Sequence, residues 1–150
     1  GLGDVYKRQD RKVLIERLDA EQCSCVIYNE GETRLFWERG VQDLYRLLKT
    51  EPDFLRGAFI ADKVIGKAAA ALMALGGVDE VFARVISSPA REFLERSGIK
   101  VDCLSEVPHI INRTRTGWCP LETRCFRMHT AEECLQQIEE FIHTMNNVTK

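Results

Sequence analysis

Residues 57–87 read GAFIADKVIGKAAAALMALGGVDEVFARVIS, and this stretch decides the fold. An apolar run with β-branched residues (57–64) is followed by an alanine-rich helical segment (66–77) that closes with two glycines. A second β-branched run (79–87) comes directly afterwards. Because short links join strand, helix and strand, we expect the two strands to pair in parallel through a right-handed crossover. The stretch therefore predicts the centre of an α/β domain.

The same alternation continues on both sides of this unit. Downstream, SSPAREFLERSG (87–98) predicts a helix with Ser88 as its N-cap, and IKVDCLSEV (99–107) predicts a third parallel strand. Upstream, two short strands flank a turn that reads NEGE (29–32), which predicts a β-hairpin. The hairpin would pair antiparallel and lead the sheet.

Further amphipathic helices are predicted at 10–22, 41–49 and 131–145, where apolar residues recur at helical spacing. The segment 108–128 is rich in turn residues and charge and shows no clear period. The fold class we predict is α/β: a three-layer α/β/α sandwich around a mixed sheet, with a leading antiparallel hairpin followed by parallel strands.

Composition limits the classes of function. The chain has 150 residues, which suits a single domain, and 45% hydrophobic with 29% charged residues is an ordinary globular balance. Its 21 basic and 23 acidic side chains give a net charge of -2, so we expect no nucleic acid polymer as a partner. No apolar run approaches the roughly 20 residues that cross a bilayer, so we expect no membrane partner.

Two features of the chain bear on its origin. Six cysteines without a secretory signal favour reduced thiols and a cytoplasmic location. The segment DVYKRQ (4–9) resembles the translation of a transposon-end sequencing adapter. We therefore expect residues 1–9 to be assembly residue outside the fold, and residues 10–150 to form one domain.

The first candidate site lies in ADKVIGKAAAAL (61–72), where a strand ends and a helix begins. Ligands gather at the ends of parallel strands, and a helix N-terminus suits an anion. Gly66 allows a close approach, and Lys63 and Lys67 add positive charge. A P-loop is excluded because only Gly66–Lys67 of its GxxxxGK[ST] pattern is present. The alternative is that Asp62 caps a core helix and the lysines are solvated.

The second candidate site lies in IINRTRTGWCPLE (110–122). Asn112 and Arg113 offer donors for phosphate or carboxylate. Cys119 could be a nucleophile activated by nearby arginines, with Glu122 close behind it. The alternative makes Cys119 a small buried residue and Glu122 a helix cap or ion-pair partner.

Metal binding finds no support in the spacing of potential ligands. Cys23 and Cys25 are one residue short of a CxxC motif, and five residues separate Cys119 from Cys125. The histidines, none of which stands in an HExxH or HxE context, are His109, His129 and His143. We therefore predict no metal and no cofactor. A redox or zinc function would need the fold to bring two thiols, or thiols and a histidine, within bonding distance.

The two site motifs, together with the connecting VDEVFARVIS and SPA, resemble the bacterial family known as domain of unknown function 1893. The resemblance covers roughly residues 10–145 and implies a cytidine deaminase-like fold. Zinc deaminases place His or Cys with Ala-Glu where this chain has Arg39–Gly40–Val41, and PCxxC where it has the Asp62–Lys67 stretch. Since the zinc ligands are missing, ordinary hydrolytic deamination is not expected. Self-association is expected by analogy with related folds.

These observations predict a protein that binds a small anionic molecule, bearing a phosphate or carboxylate and including nucleotides, at the helix N-terminus around Gly66 without zinc. The alternative is a non-catalytic oligomeric or regulatory module that keeps only the fold. Whether a reaction is catalysed stays open. The catalytic candidates are Lys63, Cys119 and Glu122. The ligand-binding candidates are Arg39, Asp62, Gly66, Lys67, Asn112 and Arg113.

Overall fold

The structure is a computed structural model that describes residues 2–38, 41–111 and 117–148, with side chains described from 10 to 146 within those ranges. The helices are α1 (Leu2–Ala20), α2 (Gln42–Thr50), α3 (Pro52–Leu55), α4 (Lys67–Gly76), α5 (Ser88–Arg96), α6 (Pro120–Cys125) and α7 (Ala131–Val148). The strands are β1 (Cys25–Asn29), β2 (Glu32–Phe36), β3 (Phe59–Ile65), β4 (Glu80–Ser87) and β5 (Lys100–Val107).

The five strands form one mixed sheet in the order β2-β1-β3-β4-β5. β1 pairs antiparallel with both β2 and β3, whereas β3, β4 and β5 are parallel to one another. Glu30 and Gly31 join β1 to β2 with φ values of 47° and 85°, the left-handed conformation that a tight two-residue hairpin turn requires. The predicted hairpin and the predicted parallel strands are both confirmed.

Helices cover both faces of the sheet, as the sequence predicts. Neighbouring strand residues point to opposite faces, so Val26 packs beneath α1 with Leu14 and Leu18, whereas Ile27 belongs to the core on the other face. That second core is larger, and it receives buried side chains from α2, α4, α5, α6 and α7. The result is three layers, with α1 alone on one side of the sheet among the described helices.

Helix α4 lies at the centre of the larger core and is buried almost all round. Its alanines, Ala68 to Ala71, allow α2, α5, α6 and α7 to pack close to it. Near its end, a Cβ on Gly76 would stand 2.9 Å from the Leu55 side chain, so this position admits no larger residue without a shift. α4, which starts after the carboxyl end of β3, is therefore closely packed along its whole length.

The structure shifts the N-cap of α5 by one residue and adds two short helices. The N-cap of α5 is Ser87 rather than Ser88, because the Ser87 hydroxyl accepts a hydrogen bond from the Ala90 N–H at 3.2 Å. α3 has four residues and α6 has six, lengths at which apolar periodicity gives no signal. α6 lies within the segment 108–128, whose sequence shows no clear period.

Candidate functional site

The two sequence motifs meet at the N-terminus of α4. Gly66 is the N-cap residue and provides no side chain to satisfy the first N–H groups of the helix. The carboxylate of Glu122, from α6, takes that place: its Oε2 accepts a hydrogen bond from the Lys67 N–H at 2.8 Å. A Cβ on Gly66 would lie 3.3 Å from both Cδ and Oε2 of Glu122 and 3.4 Å from Cγ1 of Ile110. The glycine therefore leaves the room that this carboxylate fills.

The side chain of Lys67 completes the same junction. Lys67 is only 7% exposed, and its Nζ donates hydrogen bonds to the carbonyl oxygens of Phe126 at 3.0 Å and Met128 at 2.6 Å. We call these contacts of Gly66 and Lys67 with Glu122, Phe126 and Met128 the α4 clamp. It fastens the segment between α6 and α7 to the start of α4. The predicted anion position is thus held by a carboxylate of the chain itself, and Lys67 faces carbonyl groups.

Only one of the two oxygens of the Glu122 carboxylate is hydrogen-bonded in these contacts. The residue is 4% exposed, and its Oε1 has no hydrogen-bond partner among the described residues. Because Oε1 belongs to the group that caps α4, it also lies beside the helix N-terminus. A buried carboxylate oxygen without a donor is costly, and most such groups in proteins are paired.

Asp62 lies in β3, shortly before Gly66 in the sequence. It is partly buried, and it stands opposite Cys25 in the ladder between β1 and β3. Burial raises the pKa of the Asp62 carboxyl to about 7, against the opposing effect of the Val64 and Lys63 N–H groups. The pKa of the Cys25 thiol is raised well above its ordinary value, first by burial and then by the charge of Asp62. Asp62 is therefore a carboxyl group that changes charge near neutral pH.

The described contacts of Lys63 lie away from the α4 clamp. Its N–H donates to the Ser24 carbonyl at 3.1 Å, and its charge acts on Cys23, whose pKa is raised by burial and lowered in part by Lys63. Among the described residues, no hydrogen bond or ion pair joins Lys63 to Lys67 or Glu122. The two lysines predicted to share one anion have different surroundings.

Cys119 is partly buried at the N-cap position of α6. Its N–H donates to the Ile110 carbonyl at 2.8 Å, and its carbonyl accepts from the Thr123 N–H at 3.1 Å. In the part of the chain that the structure describes, no histidine or carboxylate is hydrogen-bonded to the Cys119 thiol. Its role as a nucleophile stays a prediction, as do those of Arg39, Asn112 and Arg113, which lie outside the described residues.

An apolar groove, which the sequence does not reveal, adjoins the clamp. It has a volume of about 570 Å³, and its lining residues come from the carboxyl ends of the three parallel strands and the loop after β5: Val64, Val85, Val107, His109, Ile110 and Ile111. His109 also stacks on Trp118, with ring centroids 3.6 Å apart and an interplanar angle of 22°. One face of the Trp118 ring, in the second site motif, is therefore taken by His109.

Two classes of site find no support in the described ranges. No group of three His, Cys, Asp or Glu side chains within residues 2–38, 41–111 and 117–148 is placed to hold a metal ion. Among the same residues, none of the helices has the length and apolar character that a bilayer crossing requires.

Known proteins resemble the chain in sequence pattern and in fold. The crystal structure of TM1506 from Thermotoga maritima, a DUF1893 family protein, superposes with a TM-score of 0.79 at 22% identity, over 86% of this chain and 87% of that one. This likeness shows the fold alone. None of the curated proteins matches the chain. The family model described as domain of unknown function (DUF1893), TM1506, matches residues 13–142. The chain therefore belongs to the DUF1893 family.

Proposed function

We propose that this chain binds a small molecule at the N-terminus of α4, and that an N–H or O–H group of the molecule donates to Oε1 of Glu122. The supporting observation is the buried Glu122 carboxylate with one oxygen paired and the other without a partner. Leaving such an oxygen unpaired costs roughly 1–3 kcal/mol or more. A ligand donor at Oε1 would remove that cost.

Capping alone does not account for Glu122. α5 begins in the same way, at the carboxyl end of a parallel strand, and the neighbouring Ser87 hydroxyl caps it without help from another part of the chain. A serine at position 66 would offer α4 a similar cap. Instead the chain has Gly66 there and buries a charged group from α6. This arrangement suits a site in which a carboxylate must face a bound molecule.

The anionic ligand predicted from the sequence needs a modification at this site. Lys67 is engaged with two carbonyl groups, and the described contacts of Lys63 lie at Ser24 and Cys23, away from the α4 clamp. The group that meets Glu122 would therefore be a hydrogen-bond donor of the ligand, such as the amino and hydroxyl groups of nucleotides and amino acids. Zinc has no part in the proposal, because Arg39–Gly40–Val41 and the Asp62–Lys67 stretch, which the family resemblance aligns with the ligand positions of zinc deaminases, contain neither of their motifs.

A thermal-shift screen with nucleotides, sugar phosphates and amino acids at millimolar concentration tests the proposal. A ligand present at a hundred times its Kd should raise Tm by roughly 5–10 °C in a chain of this size. Glu122→Gln keeps an acceptor for the Lys67 N–H but weakens or removes the acceptor at Oε1, so the ligand-induced shift should be lost. The exposed Glu132→Gln is the matched control and should keep it. No shift with any compound, or an equal shift in Glu122→Gln, contradicts the proposal.

One observation favours the alternative of a non-catalytic module. The hydrogen bonds of Glu122 Oε2 and Lys67 Nζ join α6 and the segment after it to the start of α4, so the α4 clamp has a structural role whatever else it does. In that case Glu122→Ala should lower Tm, Glu122→Gln should have a smaller effect, and the ligand screen should give no shift. The same two variants thus separate the two functions.

A further inference from the structure

β5 is an edge strand, with no described strand on its outer side. It runs over Lys100–Val107, pairs with β4 on one side and is last in the order of the sheet. The Cys103 N–H donates to the side-chain carboxylate of Asp102 at 2.9 Å, so it faces away from β4. Because the N–H and C=O groups of alternate residues point to the same side of a strand, Val101 and Ser105 also present theirs outward. Such an edge is a template for pairing with another strand.

The face of β5 opposite the larger core carries an exposed leucine. Val101 and Cys103 pack against that core, so the alternate residues Asp102 and Leu104 point to the other face of the sheet. There the Leu104 side chain is 74% exposed. α1, the described helix on that face, packs on β1 and β3. A strand added beside β5 would cover both the leucine and the outward backbone groups.

The charges along β5 favour a second copy of the same strand as the partner. In an antiparallel pair, outward-facing residues must lie opposite outward-facing residues for the ladder to form. A two-fold axis through Cys103 meets this condition and sets Lys100 of each copy opposite Glu106 of the other. Lys100 has no ion pair among the described residues, and Glu106 is still 39% exposed beside Arg91. Opposite charges that face each other across two strands stabilise the pair.

The neighbouring registers are worse for the same charges. With the axis through Leu104, Asp102 would face Glu106 of the partner subunit, and with the axis through Asp102 the two Asp102 side chains would face each other. Like charges directly opposite destabilise a strand pair. An axis between two residues would set outward-facing residues opposite inward-facing ones and lose the hydrogen bonds. The sequence of β5 therefore favours the register centred on Cys103.

We propose that two copies of this chain form a dimer by antiparallel pairing of β5 with β5 about Cys103, which joins their sheets into one. Cys103 exchanges its N–H and C=O hydrogen bonds with Cys103 of the partner subunit, in place of the Asp102 contact. Val101 pairs in the same way with Ser105 of the partner subunit. The two Leu104 side chains then lie diagonally across the axis on the open face, at a distance that long side chains span.

Analytical ultracentrifugation of the full chain over a range of concentrations tests the proposal, and the wild-type chain should sediment as a dimer. Ser105→Pro removes an outward N–H that β4 does not use, so the subunit should keep its fold while the dimer Kd rises by roughly tenfold or more. Ser105→Ala keeps the N–H and is the matched control. A wild-type chain that is monomeric at every concentration overturns the proposal, as does a folded Ser105→Pro variant that dimerises like wild type.

Exchange of the two charges tests the register without a proline. Lys100→Glu and Glu106→Lys each set like charges opposite one another, so each variant alone should dimerise more weakly than wild type. An equal mixture of the two should recover dimers, because every facing pair in the mixed dimer has opposite charges. No recovery in the mixture overturns the proposed register.

A short bismaleimide cross-linker tests the position of the axis on the wild-type chain. It should join Cys103 to Cys103 of the partner subunit, and trypsin should then release two linked copies of peptide 101–113. A link between subunits that runs only through another cysteine would place the interface elsewhere and overturn the proposal.

Discussion

Gly66 connects two parts of the chain at the scale of a single residue. Its φ of -99° is open to any amino acid, so the position does not need glycine for its backbone conformation. It uses glycine for space, because atoms of Glu122 and Ile110 lie only 3.3 Å and 3.4 Å from the place where a Cβ would stand. The sequence predicts a close approach of an anion to Gly66; it does not reveal that the anion is a carboxylate 55 positions beyond Lys67. Only folding of the intervening chain brings the two together.

Gly66→Ala should therefore destabilise the chain. The new Cβ would press on the Glu122 carboxylate, which would have to shift by a few tenths of an ångström against its hydrogen bond to the Lys67 N–H, and overpacking of this kind costs about 1–3 kcal/mol. Gly117→Ala is the matched control, since no atom lies within 4 Å of a Cβ at Gly117, and it should be neutral within about 0.5 kcal/mol. Urea denaturation of both variants measures the difference. Equal free energies of unfolding would show that Glu122 moves aside without cost.

At the scale of the elements, the long periodic segments were predictable and the short irregular ones were not. α2, α5 and α7 have apolar faces, and β3 and β4 have buried β-branched residues, so local pattern and final environment agree. α6 has one turn and a half and takes its position from the α4 clamp. No local pattern encodes that contact, which is why the tail had no secondary structure in the sequence-based prediction.

The α4 clamp predicts that Lys67 and Lys63 differ sharply in their importance for the α6–α7 segment. Lys67→Met removes charge-assisted hydrogen bonds to two carbonyls and leaves them without a donor, a loss of about 2–4 kcal/mol. In Lys67→Met, the rate of backbone hydrogen exchange should increase more in residues 120–130 than in the sheet. Lys63→Met, the control, removes no described hydrogen bond of its side chain and should stay within about 0.5 kcal/mol of wild type. A similar loss in both variants contradicts the clamp.

At the scale of the whole molecule, the mixed sheet explains why the candidate site lies where it does. Three parallel strands end at one edge, and α4 and α5 start from that edge. The loop after β5 and α6 then fold over it, which places the groove and the α4 clamp next to one another, with Ile110 in contact with both. The sequence predicts the edge from the order of its elements. The side of the edge that the loop after β5 and α6 cover depends on long-range packing, which no local sequence pattern indicates.

Asp62 makes the stability of the whole chain depend on pH. Its carboxyl has a pKa of about 7 in the folded state, against 3.8 as the ordinary value, because burial disfavours its charge. Between these values the folded chain holds a proton that the unfolded chain has released. The stabilising contribution is therefore complete below the unfolded pKa and is lost as pH rises through 7, with a slope of up to about 1.4 kcal/mol per pH unit.

Urea denaturation from pH 5 to pH 8 tests this dependence. The window lies above the range in which carboxylates with lowered pKa values, such as Glu139 beside Tyr45 and Lys49, lose their own contribution as pH falls. Asp62→Asn keeps the shape of the side chain but cannot ionise, so its stability should fall less steeply than that of wild type and exceed it at pH 8. The exposed Asp53→Asn should follow the wild-type curve. Parallel curves for wild type and Asp62→Asn would mean that Asp62 ionises at its ordinary pKa.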